Sequence, residues 1–178
     1  CAGARLPVSY ITLNRDNGSR TIVHYRQMDE YSAEHFAQVN PFDYDWIHFE
    51  GRHVPALAVM MQRLNALGYA RFSLEVEKPR DAIESLFHYP AMLLFSRDYV
   101  ASTHQGVRDF FQQLRAREVK AALFCAWGKA GAWAMDEENT LWQQPAWQPD
   151  KVIDTLGAGD VFNAGVIGAW LQQAGVRQ

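Results

Sequence analysis

The segment with the most chemistry per residue runs Asp154-Thr155-Leu156-Gly157-Ala158-Gly159-Asp160-Val161-Phe162-Asn163-Ala164. Three small residues, Gly157, Ala158 and Gly159, let the backbone come close to a ligand. A helix is predicted to start at Gly159 or Asp160 and run to about Gln173. Its unpaired N–H groups would point at the same spot, where an anion is favoured. Asp160 stands beside that hole. A carboxylate next to an anion hole suits a reaction in which one substrate offers a hydroxyl and the other a phosphate. The carboxylate accepts the hydroxyl proton, and the amides stabilise charge on the transferring phosphoryl group. Read more plainly, Gly157-Ala158-Gly159 is a tight turn and Asp160 an ordinary helix cap, and the short motif alone leaves both readings open.

Competing motifs are excluded. No Gly-x-x-x-x-Gly-Lys followed by Ser or Thr occurs, so there is no P-loop. A dinucleotide fingerprint needs a third glycine where Phe162 stands. The formal net charge of -3 and the absence of a basic stripe argue against nucleic-acid binding. No stretch approaches the ~20 apolar residues of a membrane span, and no signal peptide is visible. His24, His48 and His88 lie scattered, without the spacing of a metal site. Cys1 is terminal and Cys125 lies in an apolar run, which fits a reducing, cytoplasmic setting better than a disulfide scaffold.

The elements that must position Asp160 follow from the periodicity. Val8–Leu13 and Thr21–Tyr25 alternate across turn chemistry at Asn14 to Gly18 and predict a β-hairpin. Its alternation sets it apart from the later strands, so it is expected outside the main sheet. Buried strands are predicted at Trp46–Phe49, Phe72–Val76, Ala91–Phe95 and Ala121–Ala126. Helices are predicted at Pro55–Leu67 with Gly68 as cap, at Arg80–Phe87, and at Val107–Arg117 with Val107, Phe110, Phe111 and Leu114 on one face. A second hairpin is expected from Trp133–Met135 and Leu141–Trp142. In the last helix Phe162, Val166 and Trp170 share a face. Strands alternating with helices imply an α/β fold with a mostly parallel sheet covered on both faces. The organisation expected is a hairpin over residues 1–28 and an αβ core over 29–178.

The longer pattern, Asp-Thr-x-Gly-Ala-Gly-Asp-x-Phe-Asn-Ala, resembles the C-terminal signature of the ribokinase-like (PfkB) carbohydrate kinases. Gly18–Ile22, Trp46–Arg52, Val76–Arg80 and Cys125–Trp127 look like the ketohexokinase branch of that family, in the same order. The resemblance implies a three-layer, Rossmann-like core with a β-hairpin lid. It implies transfer of a phosphoryl group from MgATP to a primary hydroxyl of a small sugar, a ketose such as fructose. By position Asp160 would be the catalytic base and Gly157, Ala158 and Gly159 the anion hole. Trp127, Gly128, Gly131 and Asn163 would lie along the ATP, with Gly128-Lys129-Ala130-Gly131 matching the family's phosphate turn. Asp154 would hold an activating K⁺. Where relatives carry an Asn-x-x-Glu motif for the Mg²⁺ shell, this chain reads Ser96-Arg97-Asp98-Tyr99, so the metal ligands stay unassigned. The resemblance also implies a homodimer through the lid. It places most sugar-reading groups before Cys1 and a short helix after Gln178, so the chain reads as a fragment. The alternative is an inactive fragment, or a remnant that only binds or dimerises.

Overall fold

The computed structural model describes residues 5–14, 20–103, 106–150 and 154–172. All of the turn expected at Asn14 to Gly18 except Asn14 lies outside them, as does Gly175, expected after the last helix.

Strands β1 (Val8–Leu13) and β2 (Arg20–Tyr25) pair antiparallel with Val8 opposite Tyr25 and form a two-stranded sheet of their own. The main sheet has six strands in chain order: β3 (Ile47–Glu50), β4 (Phe72–Val76), β5 (Met92–Ser96), β6 (Ala122–Ala126), β7 (Ala132–Met135) and β8 (Leu141–Gln144). β3 to β6 run parallel, and β7 and β8 return antiparallel as the second hairpin. Five α-helices are described: α1 (Ala33–Phe36), α2 (Val54–Ala66), α3 (Arg97–Thr103), α4 (Val107–Ala116) and α5 (Ala158–Leu171).

The pleat sends alternate side chains to opposite faces. Phe49, Leu74, Val76, Leu93, Phe95, Leu123 and Cys125 share one buried cluster with Leu57, Met61 and Leu64 of α2 and Phe110, Phe111 and Leu114 of α4. Met92, Leu94, Ala122 and Phe124 pack with Phe162, Val166, Ile167 and Trp170 of α5. The sheet is thus sandwiched between helices, the three-layer α/β arrangement expected from the sequence.

Helix ends follow local chemistry. α2 stops in a Schellman turn: Gly68 sits at φ 71°, Tyr69 N–H bonds to Leu64 O and Gly68 N–H to Asn65 O. The helix expected over Arg80–Phe87 is instead one 3-10 turn at Ile83–Leu86, because Ala82 enters it left-handed at φ 60°. α3 was not foreseen. Ser96 Oγ accepts from Tyr99 N–H and caps it, and Tyr99 and Val100 are drawn into the core. There Phe95 stacks on Tyr99 and meets Phe110 edge-on at 4.7 Å.

Candidate active site

A strand buried on both faces of a parallel sheet is normally apolar throughout. β4 breaks this rule with Ser73 and Glu75, and beside it the edge strand β3 carries the exposed His48 and Glu50. The parallel register places His48 beside Ser73 and Glu50 beside Glu75. Trp46 Nε1 donates to Ser73 Oγ at 2.9 Å, and Ser73 Oγ lies 2.7 Å from His48 Nδ1. The indole can only donate. The fully buried hydroxyl accepts from the indole and makes its second contact with His48 Nδ1. Loss of water around His48 lowers its pKa, against the pull of Glu50 and Asp160. Glu75 shifts the other way. Burial raises its pKa, the carboxylates of Glu50, Asp160 and Glu77 raise it further, and a hydrogen bond from Asn163 opposes them.

α5 arrives above this polar strip. Gly157 is its N-cap at φ 73°, a conformation that favours glycine. Asp154 Oδ1 accepts from Leu156 N–H at 2.9 Å and shapes the approach. Ala158 N–H bonds to Thr155 O at 3.3 Å, and the first helical bond is Val161 N–H to Gly157 O. The amides of Gly159 and Asp160 come between these and have no intrahelical acceptor. The Asp160 carboxylate leans back over the turn: a Cβ on Gly157 would lie 3.9 Å from Asp160 Oδ2. Asp160, His48, Glu50, Glu75 and Asn163 line one cleft of about 590 Å³.

The second loop follows β6. Trp127 is half-buried against the core, Gly128 has φ 58°, and a single 3-10 turn spans Gly128–Ala130. Gly131 N–H bonds to Gly128 O, and Trp127 N–H bonds to Gly131 O at 2.7 Å. Gly131, at φ 96°, cannot be replaced in place: a Cβ would stand 1.9 Å from Gln144 O. Arg97, at the end of β5, reaches this loop, with Nη1 3.8 Å from where a Cβ on Gly128 would be. It also pairs with Asp98 at 3.1 Å. Arg97, Gly128–Gly131, Glu50 and Glu75 all lie at the carboxyl ends of parallel strands, where open α/β sheets bind ligands.

Asp160 and the Gly157–Gly159 turn are together, as expected. Asn163, expected along the nucleotide, is the buried residue of α5 at 8% exposure and lies in the same cleft as Glu75. Glu75, Glu50 and Ser73 were not singled out from sequence. The signal was present: Trp46-Ile47-His48-Phe49-Glu50 and Phe72-Ser73-Leu74-Glu75-Val76 alternate where continuous apolar runs are the rule. Among the described residues no three His, Cys, Asp or Glu side chains converge as a metal cage. Mg²⁺ carried on nucleotide phosphates needs none, since it keeps its waters and takes one or two carboxylates. Among the described residues no helix is long and apolar enough to cross a membrane.

A family model described as pfkB family carbohydrate kinase matches residues 2–178. The chain belongs to that family. This pfkB chain is 38% identical over 173 residues to ketohexokinase of Mus musculus, an alignment covering 90% of the chain and 57% of the mouse protein. It is similar in fold to adenosine kinase from Sinorhizobium meliloti (TM-score 0.70, 17% identity, 93% of this chain and 54% of that one). It is similar also to Arabidopsis thaliana ribokinase, solved with ribose and ATP (TM-score 0.69, 14% identity, 96% and 58%). The pfkB chain therefore spans between half and two thirds of the length of these relatives.

Proposed function

We propose that this chain carries the phosphoryl-transfer side of a sugar kinase, which moves the γ-phosphoryl group of MgATP onto a primary hydroxyl of a small ketose such as fructose. One observation carries the reading: the Asp160 carboxylate lies over a left-handed Gly157 turn, at a helix N-terminus whose Gly159 and Asp160 amides have no intrahelical acceptor. Family membership and the identity to a ketohexokinase support the sugar class.

Asp160 accepts the proton of the attacking hydroxyl, a contribution of about 10²–10⁴-fold. The backbone at Gly157, Ala158 and Gly159 stabilises charge on the transferring phosphoryl. Gly128–Gly131 and Arg97 lie along the ATP phosphates, with Trp127 beside the nucleotide. Arg97 suits this task because its guanidinium binds phosphate oxygens through several donors at once. Asn163 enters this reading as part of the frame behind Asp160. Mg²⁺ would be held chiefly by the nucleotide's phosphates and would neutralise their charge. A K⁺ beside Asp154 and a cytoplasmic setting, in keeping with the free thiol of Cys125, complete the proposal.

The test is Asp160→Asn in the intact protein, assayed by ADP release with saturating MgATP and fructose. The expected result is a fall in kcat of at least about 100-fold with the KM for ATP little changed. A kcat near the parent value would remove Asp160 from the role of base.

A further inference from the structure

Trp46, Ser73 and His48 form a polar chain across two parallel strands. The indole N–H of Trp46 donates to Ser73 Oγ at 2.9 Å, and that oxygen lies 2.7 Å from His48 Nδ1. The register of β3 and β4 sets His48 directly beside Ser73, so the contact follows from strand pairing. Ser73 is fully buried, whereas His48 is exposed. A hydroxyl on an inner strand of a parallel sheet is an unusual choice, and without partners it would cost stability. Here it is engaged on both sides, and the chain ends at the imidazole. Whichever way the proton between Ser73 and His48 points, Nδ1 is occupied, and Nε2 is the nitrogen left for a ligand.

The place of that imidazole in the fold decides what it can meet. His48 lines the cleft of about 590 Å³ that holds Asp160. It also lines the neighbouring cleft of about 550 Å³ that His24 of β2 and Arg26 close from the hairpin side. β3 is the edge of the main sheet, and the Gly128–Gly131 loop follows β6, three strands away. At ~4.8 Å per strand that separation is about 14 Å. His48 thus stands on the side of the cleft away from the phosphate turn. In-line transfer puts the attacking hydroxyl opposite the leaving oxygen, so the acceptor belongs on that side.

We propose that His48 binds a hydroxyl of the acceptor sugar other than the one phosphorylated, and that Ser73 and Trp46 are positioning residues that hold the imidazole for it. The proposal rests on the kinase reading of Asp160. The ligand chemistry follows from the group, since a sugar hydroxyl both donates and accepts and so pairs with Nε2 in either state. A nitrogen fixed in this way also selects, because an acceptor lacking the matching hydroxyl leaves it unpaired.

The test uses His48→Asn, Ser73→Ala and Trp46→Phe in the intact protein. Asn keeps a polar group toward Ser73 and removes the reach of Nε2. The expected result is that His48→Asn raises the KM for fructose at least about fivefold with the KM for ATP within about twofold. Ser73→Ala and Trp46→Phe should raise the KM for fructose by smaller factors and leave that for ATP unchanged. In the His48→Asn background neither should add a further rise, because both act through the imidazole. His48→Asn with a parental KM for fructose, or with equal rises for both substrates, would overturn the proposal. So would second substitutions that add their full factors in the His48→Asn background, which would make the chain a support of the sheet alone. If Ser73→Ala does not fold, Trp46→Phe supplies that comparison from outside the strands. Asp160→Asn is run beside them. Parental kcat there defeats the kinase reading, whereas an inactive Asp160→Asn with His48→Asn at the parental KM for fructose defeats this proposal alone. A parent that neither binds fructose by calorimetry nor phosphorylates it defeats both.

Discussion

Glu75 offers a pH signature separate from catalysis. Its pKa in the folded chain lies above the ordinary 4.5, first because of burial and then because of the neighbouring carboxylates. Between the unfolded and folded values the native state keeps a proton that the unfolded chain has released. Stability from this group is thus complete below about pH 4.5 and is lost as pH rises through the folded pKa. Glu75→Gln removes the titration at nearly unchanged side-chain shape. The thermal midpoint of the variant should gain on the parent as pH rises from 4 toward 8 and match its trend in more acid solution. Parallel midpoint curves for the two proteins would show that Glu75 titrates as it would in water. Cys125 shows the same physics in a silent form: burial in β6 pushes its thiol up to about 12, which leaves it unreactive in the native fold.

The element scale has its own fastener in Arg115. From the last turn of α4 its guanidinium donates to Val119 O, to Ala121 O at 2.9 Å and to Asp136 O at 2.8 Å. It ties the end of a helix to the start of β6 and to the turn after β7. Arg115→Leu keeps the packing stem but removes the donor to these carbonyls and to Met135 O, four in all. A loss of about 2–3 kcal/mol is expected in urea unfolding, and Arg115→Lys should recover only part of it. A Leu variant within about 0.5 kcal/mol of the parent would show that water serves these carbonyls equally well. Such a fastener is invisible in the sequence, because it joins residues far apart whose only shared feature is an unpaired backbone oxygen. What the sequence does show is periodicity. The four parallel strands, the amphipathic α4 and the two hairpins follow from it, as does the helix carrying Asp160. α3 escaped because Tyr99 and Val100 are drawn in by the aromatic cluster of Phe87, Phe95 and Phe110, a tertiary effect that outweighs weak local propensity. The site was half legible for a related reason. Asp160 and its glycines are contiguous in the chain, whereas Glu75 and His48 reach them only through sheet register.

At the scale of the whole molecule, the hairpin β1–β2 presents an unusual balance. A two-stranded ribbon is at best marginally stable in water and normally hides one face. Here both faces carry apolar side chains. Tyr10 and Val23 are opposite each other at 69% and 62% exposure, beside Val8 and Tyr25. On the reverse face Ile11 opposes Ile22. One cross-strand polar bond, Ser9 Oγ to His24 Nδ1 at 2.8 Å, joins that reverse face. Exposed apolar surface on this scale marks an interaction site, and two such faces call for two covers. We propose that one face docks on the hairpin of a second copy and the other closes over the sugar. Tyr10→Asp and Ile11→Asp separate these roles. Each places a carboxylate on one face only, and neither breaks a backbone bond of the ladder. The expected result is that one variant sediments as a monomer where the parent is a dimer. The other should keep the dimer and raise the KM for fructose, leaving the KM for ATP unchanged. A parent protein that is monomeric at micromolar concentration, with fructose kinetics indifferent to both substitutions, would show that the hairpin covers neither a partner nor the substrate.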